Sequence, residues 1–291
     1  MPELPEVEVT RRRIAPLLVD RRIEAVQTTP DSYFFLTPPD VLRDRVEDRI
    51  VRTLERRGKY LLAVLDDGCR LLIHLGMTGQ LFSSEARSVR LLSATARSSL
   101  APEEQEDFRA DEHTHLAVDF VDGGPQVYFR DVRKFGKVML LEPGESHPRL
   151  DRLGPDALEA DGESIFRASR KRKIPVKSLL LDQAVLAGVG NIYADEALFG
   201  AGVRPGRGAA RLSRRECDDL ATEIRRILQR SIETGGSSIS DYVSPDGRDG
   251  RFQDERRVYA RRGEACVACG AAIRRKVIAQ RSSHYCPVCQ S

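Results

Sequence analysis

The chain has 291 residues, 41% of them hydrophobic and 31% charged, which is typical of a globular protein with room for two domains. No run approaches the roughly 18 apolar residues of a membrane span, and the acidic, proline-containing N-terminus is unlike a secretion signal, so we expect a cytoplasmic protein with no membrane partner. The net charge of +3 excludes a strongly basic or acidic chain, but residues 251–291 carry nine basic against three acidic residues, which indicates a local anion-binding surface.

The first half of the sequence predicts one helix and a series of short strands. Apolar residues at helical spacing favour an amphipathic helix over Glu3–Leu18. Strand-like runs follow at residues 22–28, 50–54, 60–65, 70–75, 116–121, 126–130 and 137–141. This half is therefore predicted to be a mostly antiparallel β-sandwich or barrel. The stretch Ser83–Glu112 has little periodicity and is predicted to be a surface excursion.

The second half of the sequence is predicted to be helical. Proline and glycine punctuate residues 143–161, which is typical of a linker between domains. Helical patterns then cover residues 176–183, 191–199 and 212–234, and Gly235-Gly236 would end the last of them. A polar, glycine-containing stretch at residues 237–263 leads to the C-terminal cysteines.

Four of the six cysteines have the spacing of a zinc site. Cys266, Cys269, Cys286 and Cys289 form two C-x2-C pairs separated by 16 residues, which is long enough for a β-hairpin. Two incidental pairs, disulfides or a redox motif are the alternatives, and disulfides are disfavoured in a cytosolic protein. Four thiolates complete a tetrahedral shell, so one structural Zn²⁺ is predicted and His284 is expected at the surface.

The N-terminus carries a candidate nucleophile. Removal of Met1 would expose the secondary amine of Pro2, and an α-amine has a pKa near ~8, so part of it is unprotonated at neutral pH. Such an amine can attack a sugar C1′ and form an iminium, and Glu3 and Glu6 are candidates for proton transfer beside it. The alternative is an ordinary helix start, where proline and glutamate are also common.

Two further motifs have the residue types of nucleic-acid contacts. Gly188-Val189-Gly190-Asn191 lies between two predicted helices, where glycine amides and a helix N-terminus favour a phosphate; a tight turn between helices is the alternative. Arg130–Gly136 holds Phe135 between cations, a pattern suited to insertion into a base stack. The alternative there is a core phenylalanine with solvated neighbours.

Taken together, the motifs resemble those of the formamidopyrimidine-DNA glycosylase family. The resemblance runs from Pro2 to Gln290, apart from most of residues 83–112, and the N-terminus is similar to the branch that acts on purine lesions rather than to endonuclease VIII. The matching motifs are Pro2-Glu3-Leu4-Pro5-Glu6-Val7-Glu8, Arg57-Gly58-Lys59-Tyr60, His74-Leu75-Gly76-Met77-Thr78-Gly79, Gly188–Glu196 and Ala279–Cys286.

The resemblance implies an α+β fold. It consists of an N-terminal antiparallel two-sheet β-sandwich with flanking helices and a C-terminal helix–two-turns–helix domain that ends in a β-hairpin zinc finger. The implied divisions are a catalytic domain at residues 1–145, a linker at 146–160, a DNA-binding domain with a lesion-recognition loop at 161–255, and a zinc finger with four cysteine ligands at 256–291.

The resemblance also implies a bifunctional DNA glycosylase and apurinic/apyrimidinic lyase of base excision repair. Such an enzyme removes 8-oxoguanine and formamidopyrimidines from damaged double-stranded DNA, and we expect it to act as a monomer in the bacterial cytoplasm, on the nucleoid. By this analogy Pro2 attacks C1′, Glu3 handles the proton transfers, and the resulting iminium supports β,δ-elimination. Lys59 matches the lysine of the β step, and Arg281 matches the arginine that holds the phosphates and assists the δ step.

Further residues match DNA contacts of the family. Gly235–Tyr242 resembles the loop that closes over the lesion base, and three of the matching side chains would fill the void left by the extruded nucleotide. These three are Met77, Arg133 and Phe135, and the other matches are His74, His113, Arg172, Gly190 and Asn191.

Three departures from the family pattern limit what the resemblance implies. Val132 stands where the family usually has proline, which leaves the backbone direction of Arg133 open, and the acidic stretch Ser83–Glu112, after the predicted Met77 strand, could reach DNA or a partner protein. His284 stands where the family more often has phenylalanine, with no evident consequence. Two other functions stay open at this point: the same chemistry on oxidised pyrimidines, and a non-catalytic zinc-finger DNA-binding protein. The presence of Pro2, Glu3 and Lys59 argues against the latter.

Overall fold

The computed structural model describes residues 2–88, 110–170, 172–238 and 242–291. The chain divides into two compact units, of which the first comprises Met1–His147 with Thr234–Arg251 and the second Pro148–Glu233 with Phe252–Ser291. Most of the predicted excursion, at residues 89–109, lies outside the described residues. The four divisions inferred from the sequence, and the boundaries between them, stay predictions.

The described residues of the first unit form two helices and two four-stranded antiparallel sheets. Its helices are α1 (Leu4–Leu18) and α2 (Pro39–Val46). One sheet has the order β1-β6-β7-β5 and the other the order β2-β3-β4-β8. The strands are β1 (Ile23–Thr28), β2 (Val51–Arg57), β3 (Tyr60–Leu65), β4 (Arg70–His74), β5 (Gln80–Ser83), β6 (Thr114–Phe120), β7 (Val127–Arg130) and β8 (Lys137–Leu141).

One hydrophobic core joins both sheets to α1. Phe129 on β7 and Leu61 on β3 are fully buried in it, together with Ile14 of the helix. Each such side chain stabilises the fold by about 2 kcal/mol through removal of apolar surface from water. The strands therefore support the turns between them, and Lys59, Met77, Arg133 and Phe135 lie on those turns.

The second unit is helical and ends in a two-stranded hairpin. Its helices are α3 (Pro148–Asp151), α4 (Gly162–Arg170), α5 (Val176–Leu181), α6 (Asn191–Gly200) and α7 (Arg214–Glu233), and short 3-10 turns lie at Ala157–Glu159, Ala209–Arg211 and Phe252–Glu255. Strands β9 (Arg274–Ile278) and β10 (Arg281–Tyr285) pair in antiparallel fashion between the two C-x2-C pairs. The predicted α+β class, the two-sheet first half and the hairpin between the cysteines are confirmed.

Within the part of the chain that the structure describes, four helices or strands have no counterpart in the prediction from sequence, namely α2, β5, α3 and α4. Helix α2 begins at adjacent prolines, and four of its eight residues are charged, so its apolar residues are too few to show a helical face in the sequence. Among the described residues, no helix combines the length and apolar character that crossing a membrane requires.

Candidate active site and zinc centre

The N-terminal segment is buried and starts α1. Glu3 is the N-cap residue and is 2% exposed, and its backbone N–H donates to Glu6 Oε2 at 2.9 Å. This is one half of a capping box, which satisfies amide groups that have no partner within the helix. The motif therefore does form a helix start, as one of the two interpretations expects. This helix start holds Pro2 and Glu3 at a defined position in the first unit. Met1 lies outside the described residues.

Glu6 also binds the segment that resembles the lesion-recognition loop. Its Oε1 accepts a hydrogen bond from Ser237 N at 2.8 Å, and its carbonyl oxygen accepts one from the Tyr242 hydroxyl at 3.2 Å. Burial and the nearby Glu6 charge raise the pKa of Tyr242, which keeps the phenol protonated as a donor. Both ends of the described part of this segment are thus attached to the first turn of α1.

Gly236 allows this close approach. Its φ is +84°, and a Cβ there would lie 3.1 Å from Glu6 Oε1 and 3.1 Å from Tyr242 Cε1. Residues with a Cβ rarely adopt this backbone conformation, so the position favours glycine, and the two close neighbours leave a Cβ little room.

Lys59 lies in the two-residue turn between β2 and β3. The register pairs Arg57 with Tyr60, which leaves Gly58 and Lys59 as the turn, and Gly58 has a φ of +56°. The Arg56 guanidinium donates through Nη1 to the Gly58 carbonyl oxygen at 3.1 Å. The backbone of the turn is thereby held by a side chain of β2.

Arg56 is bound in turn by Glu8 of α1. Arg56 Nε lies 2.9 Å from Glu8 Oε2, and both side chains are less than 10% exposed. Burial raises the pKa of Glu8, but the hydrogen bonds from Arg11, Arg12 and Arg56 outweigh it and lower that pKa to about 2. The carboxylate is therefore charged throughout the physiological range.

The His74–Gly79 motif forms a turn that packs on the Arg130–Gly136 motif. His74 ends β4, and its ring lies 4.8 Å from the Tyr60 ring. A Cβ on Gly76 would lie 2.4 Å from Gly136 N, so the two turns touch through backbone. Met77 lies in the first turn, and the contact places it beside the turn that carries Arg133 and Phe135.

Asp131 organises this second turn. It is 0% exposed, and its carboxylate accepts hydrogen bonds from Gly136 N at 2.7 Å and Arg133 N at 3.3 Å and from the Thr78 hydroxyl. The Thr78 Oγ1 in turn accepts a bond from Arg133 N at 3.2 Å. The backbone of Arg133 is thus oriented by Asp131 and Thr78, with Val132 in the position where the family usually has proline.

Phe135 is not a core residue. Its side chain is 45% exposed, and the Arg133 guanidinium lies 4.8 Å from the centre of its ring. An exposed aromatic ring stacked with an arginine on a rigid turn is available for contact with a base. The core alternative for Phe135 is therefore wrong.

His113 reaches the same turn through its backbone. Its carbonyl oxygen accepts a hydrogen bond from Asp131 N at 2.9 Å, and its side chain is only partly exposed. The structure thus brings Met77, His113, Arg133 and Phe135 to neighbouring turns of the first unit.

In the second unit, Gly190 and Asn191 begin α6. Gly190 is the N-cap residue in an extended conformation, and Gln183 holds the preceding turn by accepting from Gly188 N at 2.9 Å and donating to the Val189 carbonyl oxygen at 3.0 Å. The turn joins two helices, as the turn interpretation expects, and it ends in a helix N-terminus, which favours anions. Phosphate binding by Gly190 and Asn191 stays a prediction.

Arg172 makes an ion pair with Asp182 through Nη1 and Oδ2. The pair is about one third exposed, so it is solvated and weakly held. Arg172 is consequently on the surface of the second unit, and nothing in its contacts assigns it a ligand.

The four C-terminal cysteines form a cluster that fits a zinc ion. Their Sγ atoms all lie within 4.8 Å of one another, with Cys266 and Cys289 3.9 Å apart and Cys269 and Cys286 3.4 Å apart. A tetrahedral ion with Zn–S bonds of about 2.3 Å needs sulfur–sulfur distances near 3.8 Å. Backbone N–H groups of Ala268 and Cys289 also point at Cys266 Sγ and Cys286 Sγ, as suits charged thiolates.

His284 is buried, so its predicted surface position is wrong. It is 6% exposed, and its Nδ1 lies 3.3 Å from Asp195 Oδ2 on α6. The Tyr259 ring packs against it at 5.1 Å. The acceptor that makes burial of the imidazole favourable comes from a helix 89 residues away in sequence, which spacing alone could not indicate.

A buried ion pair anchors β10 next to Arg281. Lys177 Nζ lies 2.7 Å from Asp195 Oδ1, and both side chains are 0% exposed. The same Nζ donates to the Ser282 carbonyl oxygen at 2.7 Å, and Asp195 Oδ2 accepts from His284 N at 2.8 Å. Arg281, which is exposed, is therefore presented by a strand whose backbone is fixed from within the helical unit.

Comparison with known proteins agrees with this geometry over nearly the whole chain. Residues 1–138 match the formamidopyrimidine-DNA glycosylase N-terminal domain, residues 153–243 its H2TH domain, and residues 263–291 the zinc finger found in FPG and IleRS. The chain belongs to the formamidopyrimidine-DNA glycosylase family.

Individual relatives extend over the full length. The formamidopyrimidine-DNA glycosylases of Thioalkalivibrio sulfidiphilus and Solibacter usitatus are 40% and 41% identical to the chain, with 100% of the chain and at least 99% of each relative covered. The crystal structure of the MutM (FPG) protein of Thermus thermophilus matches with a TM-score of 0.83 and 37% identity, covering 99% of this chain and 98% of that one.

A second structural match contains DNA. The Lactococcus lactis FPG (MutM) protein, in complex with DNA containing Fapy-dG, matches with a TM-score of 0.83 and 32% identity over 99% of this chain and 100% of that one. The family membership inferred from the sequence motifs is thus confirmed, as are the zinc-finger class and its single structural zinc ion.

Proposed function

We propose that this protein is a bifunctional DNA glycosylase and apurinic/apyrimidinic lyase that removes oxidised purines from double-stranded DNA. The observation that carries the proposal is the full-length match to formamidopyrimidine-DNA glycosylases, which includes a complex with DNA containing Fapy-dG. We further propose that it acts as a monomer in the bacterial cytoplasm, where its DNA substrate lies.

The chemistry begins at the N-terminal amine. Pro2 N attacks C1′ of the damaged nucleoside, the bond from C1′ to the base breaks, and the base leaves after gaining a proton. Glu3, in the buried first turn beside Pro2, is the group placed to transfer protons to and from the sugar. The amine thereby becomes an iminium on the opened sugar, which acts as an electron sink.

Elimination then cleaves the strand on both sides of the sugar. Loss of the C2′ proton expels the 3′ phosphate, and a second elimination expels the 5′ phosphate. Lys59, on its rigid turn, is proposed to assist the first step and to contact phosphate. Arg281, on β10, is proposed to hold the phosphates during the second. The four cysteines would hold a zinc ion that fixes the hairpin carrying Arg281, and its four thiolate ligands would leave no open position for a substrate.

The attacked carbon is inaccessible in a stacked nucleotide, so the base must be extruded at a cost of a few kcal/mol. Met77, Arg133 and Phe135, which lie on two touching turns, are proposed to fill the space that is left. The further DNA contacts are proposed to be His74, His113, Arg172, Gly190 and Asn191. Among these, the helix N-terminus at Asn191 suits a phosphate.

Borohydride trapping on a duplex with 8-oxoguanine opposite cytosine tests the proposal. The zinc-loaded wild type, shown by mass spectrometry to lack Met1, should give a covalent protein–DNA adduct that maps to residue 2. Pro2→Gly and Glu3→Gln should weaken the adduct, whereas Glu24→Gln, at an exposed position of β1, should not. Absence of an adduct despite lesion binding would contradict the lyase activity and would indicate a protein that binds DNA without catalysis.

A second duplex, which carries an oxidised pyrimidine instead of 8-oxoguanine, tests which class of lesion is the substrate. Faster excision from that duplex than from the 8-oxoguanine duplex would contradict the purine assignment while leaving the nucleophile intact. Light scattering of the same preparation at working concentration tests the monomer.

A further inference from the structure

The polar cluster around Glu8 joins the two segments of the first unit that carry its proposed catalytic residues. Glu8 lies on α1, five residues after Glu3, and Arg56 lies on β2, three residues before Lys59. The Glu8 carboxylate accepts bonds from Arg11, Arg12 and Arg56, with donor–acceptor distances between 2.8 and 3.0 Å.

Arg56 differs from Arg11 and Arg12 in the partner of its second hydrogen bond. Its Nε binds Glu8 while its Nη1 binds the carbonyl oxygen of Gly58, the residue just before Lys59 in the turn. Arg12 binds the same carboxylate at 2.8 Å but is 53% exposed. Besides Glu8, Arg11 donates through Nη1 to the Leu54 carbonyl oxygen at 3.4 Å, outside the turn.

We propose that Glu8 and Arg56 are positioning residues of this family member, which set the placement of Lys59 relative to the N-terminal amine by linking α1 to the β2–β3 turn. The inference rests on the proposed function, because Lys59 has a step to serve only if the chain is a glycosylase and lyase. Neither residue needs to touch DNA: Glu8 orients Arg56, Arg56 holds the Gly58 backbone, and the turn directs Lys59.

The guanidinium is required for this arrangement because it has two donors at a fixed separation. A lysine at position 56 keeps the positive charge but is a single point donor, so it cannot bind the Glu8 carboxylate and the Gly58 carbonyl in the same geometry. A displacement of about 1 Å in a catalytic group can lower a rate by up to ~100-fold. An effect of roughly 10-fold on the step served by Lys59 is therefore expected for Arg56→Lys.

The test is a double-mutant cycle between Arg56 and Lys59, in zinc-loaded full-length protein. Single-turnover rates of base excision and of strand cleavage are measured separately on the 8-oxoguanine duplex for the wild type, Arg56→Lys, Lys59→Ala and the double variant. Arg12→Lys is the matched control, because Arg12 binds the same carboxylate without touching the turn. Residues that act through one another give non-additive effects.

The expected result is that Arg56→Lys slows the same step as Lys59→Ala, by roughly 10-fold, and has no further effect once Lys59 is alanine. Arg12→Lys should leave both rates within about 2-fold of the wild type. Glu8→Gln, which keeps an acceptor but removes the charge, should slow the same step as Arg56→Lys.

Two results would overturn the inference while the proposed function stands. One is an equal change in Arg56→Lys and Arg12→Lys; the other is a full, multiplicative loss when Arg56→Lys is added to Lys59→Ala. Thermal unfolding of each variant separates misplacement from loss of fold, and should Arg56→Lys not fold, Glu8→Gln in the same cycle decides the question. A zinc-loaded wild type that neither excises nor cleaves would overturn the proposed function and this inference with it.

Discussion

The two units of the molecule place their proposed catalytic residues by different means. In the first unit, Pro2, Glu3 and Lys59 lie on short segments at the edge of a large hydrophobic core, and single buried carboxylates such as Glu8 and Asp131 orient the turns. In the second unit, Arg281 lies on a two-stranded hairpin with few apolar residues, fixed by four cysteines and by the Lys177–Asp195 pair.

This difference shows that the size of the hydrophobic core determines which further interactions are needed to keep a site in place. A two-stranded hairpin is marginally stable in water by itself, so β9 and β10 depend on a metal ion and on a buried charge. The turns of the first unit connect strands of sheets that are already stable, so local hydrogen bonds are sufficient to orient them. Perturbing the two kinds of support should therefore have effects of different size.

Removal of a zinc ligand should have the largest effect. Cys286→Ser removes one of four thiolates, and structural zinc contributes on the order of 10 kcal/mol to the folding of small domains. We expect loss of bound zinc and at least a roughly 100-fold loss of strand cleavage. Zinc content by mass spectrometry and cleavage of the 8-oxoguanine duplex are the measurements.

Cys217→Ala is the control for this change, because Cys217 is a buried thiol of α7 outside the cluster. It should retain zinc and most of the cleavage. Full activity of zinc-free Cys286→Ser would contradict a structural role for the ion.

Breaking the buried ion pair should come second. Asp195→Asn leaves the fully buried Lys177 ammonium without its counter-charge, which typically costs about 3–5 kcal/mol. We expect a reduction of that size in the free energy of unfolding of the second unit, measured by urea denaturation. Asp219→Asn, at an exposed position of the same unit, should change it by less than about 0.5 kcal/mol; equal effects of the two variants would be inconsistent with a pair that anchors β10.

Acid should weaken the Glu8 cluster over a defined pH range. The folded-state pKa of Glu8 is about 2, against an ordinary value of 4.5, so its contribution is complete above pH 4.5 and is lost as the pH falls through 2. The shift corresponds to about 3 kcal/mol. The difference in unfolding free energy between the wild type and Glu8→Gln should therefore shrink from pH 4.5 to pH 2. A difference independent of pH would argue against a charged carboxylate.

Phe135→Ala should have the smallest effect on stability and still affect function. The ring is 45% exposed, so its removal should change the free energy of unfolding by less than about 1 kcal/mol. If the ring enters the base stack, excision of 8-oxoguanine should slow by roughly 10-fold. Unchanged excision on the 8-oxoguanine duplex would remove Phe135 from the proposed DNA contacts.

Most of the correct predictions from the sequence came from the spacing of residues that are close together along the chain. The cysteine pairs indicated the zinc hairpin, and apolar alternation indicated seven of the eight strands of the first unit. Strand β5 is buried at all four of its residues, so it shows no alternation between apolar and exposed positions. The motif at Arg130–Gly136 pointed to Phe135 but left its burial open.

Long-range polar contacts could not be predicted. Glu8 and Arg56 look like ordinary surface charges in the sequence, because their partnership spans 48 residues and leaves no periodic signal. Asp195 and His284 are similar: their partnership spans 89 residues, and only the fold shows that they satisfy one another. The residues that orient the site are thus harder to find than the residues proposed to react.

The first unit is assembled from two separate stretches of the chain, Met1–His147 and Thr234–Arg251. A gene fragment that ends at His147 would therefore lack Ser237 and Tyr242, the donors to Glu6 in the first turn of α1. Exchange of this unit between relatives must carry both stretches together. The gene therefore cannot be cut once into two self-sufficient modules, and recombination at a single crossover after residue 147 would pair the N-terminal segment of one parent with the Glu6-binding segment of the other.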